Sequence, residues 1–408
     1  MAQDDSAGRS FDLPEAFLDY LTSTPYSAEE YHALLQSPEE RYVRIRDPTL
    51  SLATIAQRLQ VDVTELVEVS WTKRFAQRHP TLRVFRIPET AAVRQSDLYD
   101  SGDVFGVDAS SIACVGALDP EPCDHVLEIC CAPGTKLCCL ADLCTVTGVD
   151  INRQRLTVAR SQVKRCKLSN SVKGLWLADG RSWAGDGQEL MSEGLTPRDR
   201  KQTRKRPKVE AFAPDVFDGV LVDAECAHDG SLKHIRKFFD ERGKTSKLQS
   251  LEEHMPWLSE AKRTELAQLQ FELLCRGFQL LKEGGKLIYC TCSFSEAQNE
   301  EVIRRFLVNA GAGAGDERHV DCAGAEAPAK PRSAVSPGLR PPTGHRVPLR
   351  PAAQRHGRPV HRAAAERARR RGSGGGMVRR TDSSWWMGRN KTQRERLILV
   401  GTLISRIP

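Results

Sequence analysis

The sequence predicts an α/β protein: a parallel sheet with helices on both faces, a small N-terminal α/β appendage, and a basic C-terminal tail expected to be disordered. Three observations carry this. Between residues 104 and 310, short apolar runs alternate with segments whose apolar residues recur at helical spacing. Several of those runs end in an acid or a turn, which is where such a sheet presents its ligand-facing loops. Past Ala310 the composition turns abruptly to Ala, Gly, Pro and Arg. The chain therefore divides into 1–103, 104–310 and 311–408.

In the first segment, Phe17, Leu18, Tyr20 and Leu21 begin a short apolar face. Arg41–Ile45 reads as a strand with outward basic residues, Arg44 among them. Residues 49–66 place Leu52, Ile55, Ala56, Leu59 and Val63 at helical spacing. Two readings are open for this appendage: a packing domain, which is the commoner case, and a nucleic-acid-binding accessory domain.

In the second segment, residues 125–130 form a strand that ends in a turn, and 137–143 a helix. Residues 146–150 are a strand ending in Asp150; 153–166 are a helix with Leu156, Ala159 and Val163 on one face. Val172–Leu177 is a third strand, closing at Asp179-Gly180, and Phe217–Asp223 a fourth, ending in an acid. A long helix over 261–281 stops at Gly284-Gly285, followed by a fifth strand over 286–290 and a helix over 296–307. Residues 185–214 interrupt this pattern. Their stretch 198–208 holds Arg198, Arg200, Lys201, Arg204, Lys205, Arg206 and Lys208 against the single acid Asp199. It reads as a solvated insertion, as a mobile arm for phosphates, or as both.

Composition narrows the class. Apolar residues make up 40% and charged residues 28%, enough for a buried core. No apolar run reaches the about 18 residues that cross a bilayer. The first ten residues, with Asp4, Asp5 and only Arg9, resemble no secretory or transit signal. A soluble intracellular monomer without membrane contact is expected, with nucleus, nucleolus and cytoplasm all open. The 13 cysteines form no Cys-x-x-Cys, so no metal site is expected. Cys138, Cys139 and Cys275 read as reduced core residues. The net charge of +7 belongs to the tail: residues 311–408 hold 20 Lys and Arg against 7 acids, the rest 40 against 46.

The chemistry lies at the strand ends. Glu128-Ile129-Cys130-Cys131-Ala132-Pro133-Gly134-Thr135-Lys136 joins a strand, a tight turn and a helix start, whose free N–H groups can approach a ligand carboxylate. Asp150 is placed to accept from ribose hydroxyls, and Asp179-Gly180 stands where an adenine would be read. Each acid alone is more often a cap or turn residue; three in register point to a nucleoside cofactor. Asp223-Ala224-Glu225-Cys226 and Tyr289-Cys290-Thr291-Cys292-Ser293 follow at the fourth and fifth strands.

With Lys282-Glu283-Gly284-Gly285, Asn299-Glu300 and the weaker segment Gly106 to Ser111, these residues resemble the Sun/RsmB-type RNA cytosine-5 methyltransferases over about 105–308. The family's motifs read Asp-x-Cys-Ala-Ala-Pro-Gly-Gly-Lys, Asp-Ala-Pro-Cys and Thr-Cys-Ser. The resemblance implies a Rossmann-like class I methyltransferase sheet, S-adenosylmethionine as cofactor, ribosomal or transfer RNA as partner, and an RNA-binding appendage. It assigns Cys292 as the nucleophile, Cys226 to releasing the enzyme after methylation, and Asp223 to the cytosine edge. It assigns Cys130, Cys131, Ala132, Pro133, Gly134, Thr135, Lys136, Asp150, Arg155, Asp179 and Asp223 to cofactor binding. Lys136 is expected to favour the thiolate. Cys290 reads as strand packing, and His228 as a polar loop histidine rather than a general base.

Two departures bear on the site. Thr135 replaces a Gly, narrowing the turn's options. Glu225 replaces a Pro and brings a carboxylate expected to disfavour a Cys226 thiolate. After Leu307 no match is read for the two further strands, with their Gly-Phe-Phe segment, that the family carries. The expectation is a replaced C-terminus, as by a change of reading frame, and a bare sheet edge beside Cys292. Two rival functions follow: a catalytically weak RNA-binding ribosome or tRNA assembly factor of the same fold, and, less favoured, a methyltransferase for proteins or small molecules.

Overall fold

The computed structural model describes residues 13–191, 216–238 and 255–310, and the strands Trp385–Asn390 and Arg396–Thr402. Two short helices come first, α1 (Glu15–Leu21) and α2 (Ala28–Gln36). The Ser27 side chain accepts from the Glu30 N–H while the Glu30 carboxylate accepts from the Ser27 N–H, a reciprocal cap that fixes the start of α2. Phe17, Tyr20, Tyr31 and Leu35 do not pack on the appendage. They share a core with Ala227, Met255, Trp257 and Phe294 from the loops around the later strands.

The appendage proper runs β1 (Arg41–Ile45), α3 (Leu52–Leu59), β2 (Val67–Glu68), α4 (Lys73–Arg78), β3 (Arg83–Ile87), α5 (Asp97–Asp100) and β4 (Val104–Gly106). Its antiparallel sheet has the order β2-β3-β1-β4. The helix expected over 49–66 covers only α3, because Gln60 turns left-handed at φ 56° and ends it. Arg44 corrects an expectation. It is fully buried rather than outward. Its Nε donates to the Thr81 carbonyl at 2.6 Å, and its guanidinium pairs with Asp142. Arg46 reaches the same carboxylate, Nε to Oδ2 at 2.8 Å and Nη2 to Oδ1 at 2.5 Å.

The main domain follows with α6 (Ala109–Leu118), β5 (His125–Ile129), α7 (Thr135–Ala141), β6 (Thr145–Asp150), α8 (Arg153–Arg165), β7 (Val172–Leu177), β8 (Gln188–Glu189) and β9 (Phe217–Asp223). Then come α9 (Leu232–Phe238), α10 (Glu260–Leu280), β10 (Leu281–Thr291), α11 (Glu300–Asn309), β11 (Trp385–Asn390) and β12 (Arg396–Thr402). The sheet order is β11-β12-β10-β9-β5-β6-β7-β8. The six central strands are parallel, and β8 and β11 run antiparallel at the two edges. The chain moves outward from β5 to β7 and returns to β9 on the other side, so a crevice opens at the carboxyl ends of β5 and β9.

Alternation along each strand builds a core on both faces. Val126, Leu221, Ile288 and Cys290 pack with Ile112 of α6, Leu137 of α7 and Leu156 of α8. Leu127, Val220, Val222, Leu287 and Tyr289 pack with Leu273 and Phe278 of α10 and Phe306 of α11. Each such side chain, fully buried, contributes roughly 1.5–3 kcal/mol.

The bare edge expected beside Cys292 is not found. β12 pairs in parallel along β10, Lys286 opposite Leu397 through Thr291 opposite Thr402, and β11 covers β12. The apolar run Leu397-Ile398-Leu399-Val400 was the signal; the polar composition of 311–375 obscured it. The other expectations for residues 192–215 and 311–384 fall outside the described residues. Among the described residues, no helix is long and apolar enough to cross a membrane.

Candidate active site

The carboxyl ends of β9 and β10 bring Asp223, Cys226 and Cys292 together, because Asp223 stands opposite Cys290 in the parallel register. The Sγ atoms of Cys226 and Cys292 are 3.3 Å apart, and the Cys292 N–H points at Cys226 Sγ over 3.4 Å. Buried polar side chains hold the two turns. The Thr291 hydroxyl bonds Asn299 Oδ1 at 2.6 Å, and Asn299 Nδ2 donates to the carbonyls of Ser293 and Ser295. That gives the Asn of the Asn-Glu pair a structural reason. The Ala227 N–H donates to Gln298 Oε1 at 3.0 Å, and Gln270 Nε2 to the Glu225 carbonyl at 2.8 Å. The Gly230 N–H donates to the Cys292 carbonyl at 2.9 Å, so close that a Cβ there would stand 2.7 Å from that oxygen.

The two thiols are unequal. Cys226 is drawn well below the ordinary thiol range, first by its hydrogen bond with Cys292 and then, against burial, by His228. Cys292 is pushed well above it by the same hydrogen bond and by burial. The hydrogen bond between the two sulfurs thus favours the thiolate on Cys226 over Cys292. Glu225 is exposed, and the hydrogen bonds with Cys292 and His228 lower the Cys226 pKa.

Sequence reasoning set His228 aside. Folding places its Nδ1 2.9 Å from Cys292 Sγ and 3.8 Å from Cys226 Sγ. The three donor atoms lie within 4.8 Å of one another. Around tetrahedral zinc, with bonds of about 2.0–2.3 Å, such ligands stand about 3.4–3.8 Å apart. The Cys292 contacts have hydrogen-bond lengths, so these groups can exchange protons.

Lys136 corrects a second expectation. Its Nζ donates to Asp223 Oδ2 at 2.7 Å instead of serving the cysteines. Burial opposes its charge, but Asp223 raises its pKa well above the usual lysine value. Beneath them Glu128 is buried, and its Oε2 has no partner among the described residues. Burial, then Asp223, pushes its carboxyl well above the ordinary range.

The loop after β5 is shaped by Cys130 at φ 62° and Gly134 at φ 101°. A Cβ on Gly134 would stand 2.9 Å from Ala159 Cα, so this turn packs directly on α8. Gly134→Ala is expected to cost at least about 1 kcal/mol, measured by urea unfolding; an unchanged midpoint would refute the close approach. Thr135 is accommodated as the first residue of α7. Asp150 accepts from the Ala132 N–H at 3.0 Å and the Asn152 N–H at 2.8 Å. Arg155 Nη2 donates to the Ala132 carbonyl at 2.5 Å. Cys131 is buried, its sulfur against Gly148, and Ala132 is buried beside it. Asp179 is held by Arg181, whose Nη2 is 2.6 Å away and which also meets Glu272 at 3.3 Å. Asp150 and the turn thus form one unit, while Asp179 also serves as a turn residue.

The profile of the 16S rRNA methyltransferase RsmB/F family matches residues 115–319, half of the chain. The chain belongs to the RsmB/F family. Among relatives, the ribosomal RNA small subunit methyltransferase B of Enterobacter sp. (strain 638) is 31% identical over 229 residues, covering 54% of this chain and 42% of that protein. The protein of the same name from Yersinia pseudotuberculosis serotype O:1b is 30% identical over 240 residues, covering 57% and 45%. The chain thus spans less than half the length of these two relatives. The crystal structure of PH0851 shares the fold, with a TM-score of 0.51 and 22% identity over 80% of this chain and 64% of that one. The methyl donor of RsmB/F chemistry is S-adenosylmethionine, and the matched residues contain every strand-end residue described above except those before 115.

Proposed function

We propose that this chain transfers a methyl group from S-adenosylmethionine to carbon 5 of a cytosine in RNA, ribosomal or transfer, through a covalent adduct of Cys292 with carbon 6. The observation that carries this is the pair of thiols 3.3 Å apart at the ends of adjacent strands, beside Asp223. Methylation of nitrogen or oxygen needs no such pair. Methylation of carbon 5 does: that carbon is a poor nucleophile until a thiolate at carbon 6 makes it an enamine. Asp223, fixed by Lys136, faces the cytosine edge. Cys226 takes the carbon 5 proton when the adduct collapses.

The residues fit the cofactor. Asp150 is buried at the end of β6 with acceptor capacity left for ribose hydroxyls, and the Ala-Pro-Gly turn is free of large side chains. Bound there, S-adenosylmethionine supplies an electrophilic methyl group. Asp150→Ala is expected to weaken its binding by about 1–3 kcal/mol, read by calorimetry; unchanged affinity would reduce Asp150 to a turn anchor. The reaction itself is tested by bisulfite sequencing of RNA treated with the full chain. New protected cytosines support the reading, and transfer of labelled methyl without them overturns it. The appendage, with its exposed Arg58 and Arg86, and the basic stretch 198–208 are proposed to hold the RNA backbone.

A further inference from the structure

The loop after β9 carries a histidine for which the reaction above has no use. His228 holds φ at 57°. Residues other than glycine rarely adopt that left-handed conformation, and those that do cluster at functional sites. Here the strained backbone brings Nδ1 to 2.9 Å from Cys292 Sγ, nearer than Cys226 Sγ at 3.3 Å. Cysteine attacks as the thiolate, so the Cys292 thiol, whose pKa the Cys226 hydrogen bond and burial push up, must first lose its proton. Removing it while Cys226 stays ionised would leave two negative sulfurs in contact. A base that becomes positive on accepting the proton offsets that charge; a second thiolate does not.

We propose that His228 is the general base for nucleophilic attack, taking the Cys292 proton on Nδ1. This rests on the reaction proposed above. The S–H bond breaks and its proton forms an N–H bond on the imidazole. The sulfur electron pair forms the bond to carbon 6, and the C5=C6 pair moves onto carbon 5 and toward N3. After methylation, loss of the carbon 5 proton to Cys226 restores C5=C6 and expels Cys292 as thiolate, which recovers its proton from His228. The groups facing His228 are Asp223, Glu225 and Cys226 from β9 and its loop, the buried Asp229 next to it, Cys292 just after β10, and His234 of α9, whose ring lies edge-on at 5.7 Å. The hydrogen bond to Cys226 and, against burial, the charges of Cys226, Glu225 and Asp223 raise the imidazole above its ordinary value. Below this raised pKa His228 is already protonated and attack slows; above it the base is free.

The test uses the full chain and two variants suited to the backbone: His228→Gly, which removes the left-handed strain, and His228→Asn, which tolerates it. Iodoacetamide alkylation of Cys292, resolved by peptide mass spectrometry, is followed against pH beside single-turnover methyl transfer. Both variants are expected to shift the alkylation profile up by about one pH unit or more and to slow transfer at pH 7 on the order of 10²–10³-fold. S-adenosylmethionine affinity stays unchanged, and added imidazole restores part of the rate of His228→Gly. An unshifted alkylation profile in both variants overturns the base assignment, whatever the activity. A shifted profile in a protein whose wild type does not methylate cytosine upholds the base and defeats the reaction instead.

Discussion

Cys292→Ala is expected to lower methyl transfer by at least about 10⁴-fold, because covalent attack at carbon 6 has no second route. Binding of S-adenosylmethionine should remain near normal, since Cys292 touches Cys226, His228 and its own strand rather than the β5 and β6 loops. Cys226→Ala has a different expected outcome. Attack still occurs, the carbon 5 proton has no acceptor, and a protein–RNA adduct accumulates that survives a denaturing gel. Retained turnover in Cys292→Ala would remove that residue from the chemistry. An adduct in Cys292→Ala but none in Cys226→Ala would exchange the two roles. That exchange is the competing assignment, since the hydrogen bond from Cys292 and His228 draw the Cys226 pKa down.

Asp142→Ala carries the largest expected loss of stability. The carboxylate is almost fully buried and compensates Arg44, fully buried, and Arg46, 14% exposed, so its removal strands two guanidinium groups. Breaking a buried pair in this way costs roughly 3–5 kcal/mol, against a fraction of that for an exposed one such as Arg58–Asp97. The pair also ties β1 of the appendage to the end of α7, the helix that begins at the Gly134 turn. Urea unfolding is therefore expected to show a lower midpoint, and near-normal stability would mean that water reaches the site. Asp142→Asn keeps an acceptor without the charge and should fall between.

The parallel sheet and its helices were legible because period-2 and period-3.6 patterns are local. Val172–Leu177 and Phe217–Asp223 have in the structure the bounds that the patterns predict. Arg44 was misread because a basic residue on a strand looks outward until its partner appears, and Asp142 lies 98 residues away. β12 was missed for a different reason. Leu397 to Val400 is a plain strand signal, but it is short and follows a long segment dominated by Ala, Gly, Pro and Arg, which sets the composition of the tail.

The sequence by itself determined the fold class, the order of the strand-end loops and the placing of a cysteine at the ends of the fourth and fifth strands, since each depends on residue type and spacing along the chain. Only the tertiary structure decided how those groups share charge. The 3.3 Å between Cys226 and Cys292 spans 66 residues, Lys136 reaches Asp223 across 87, and His228 meets Cys292 across 64. Proton affinity depends on burial and on neighbours within a few ångströms. Both are set when strands β5, β9 and β10 align in register, and neither is written in any short stretch of the chain.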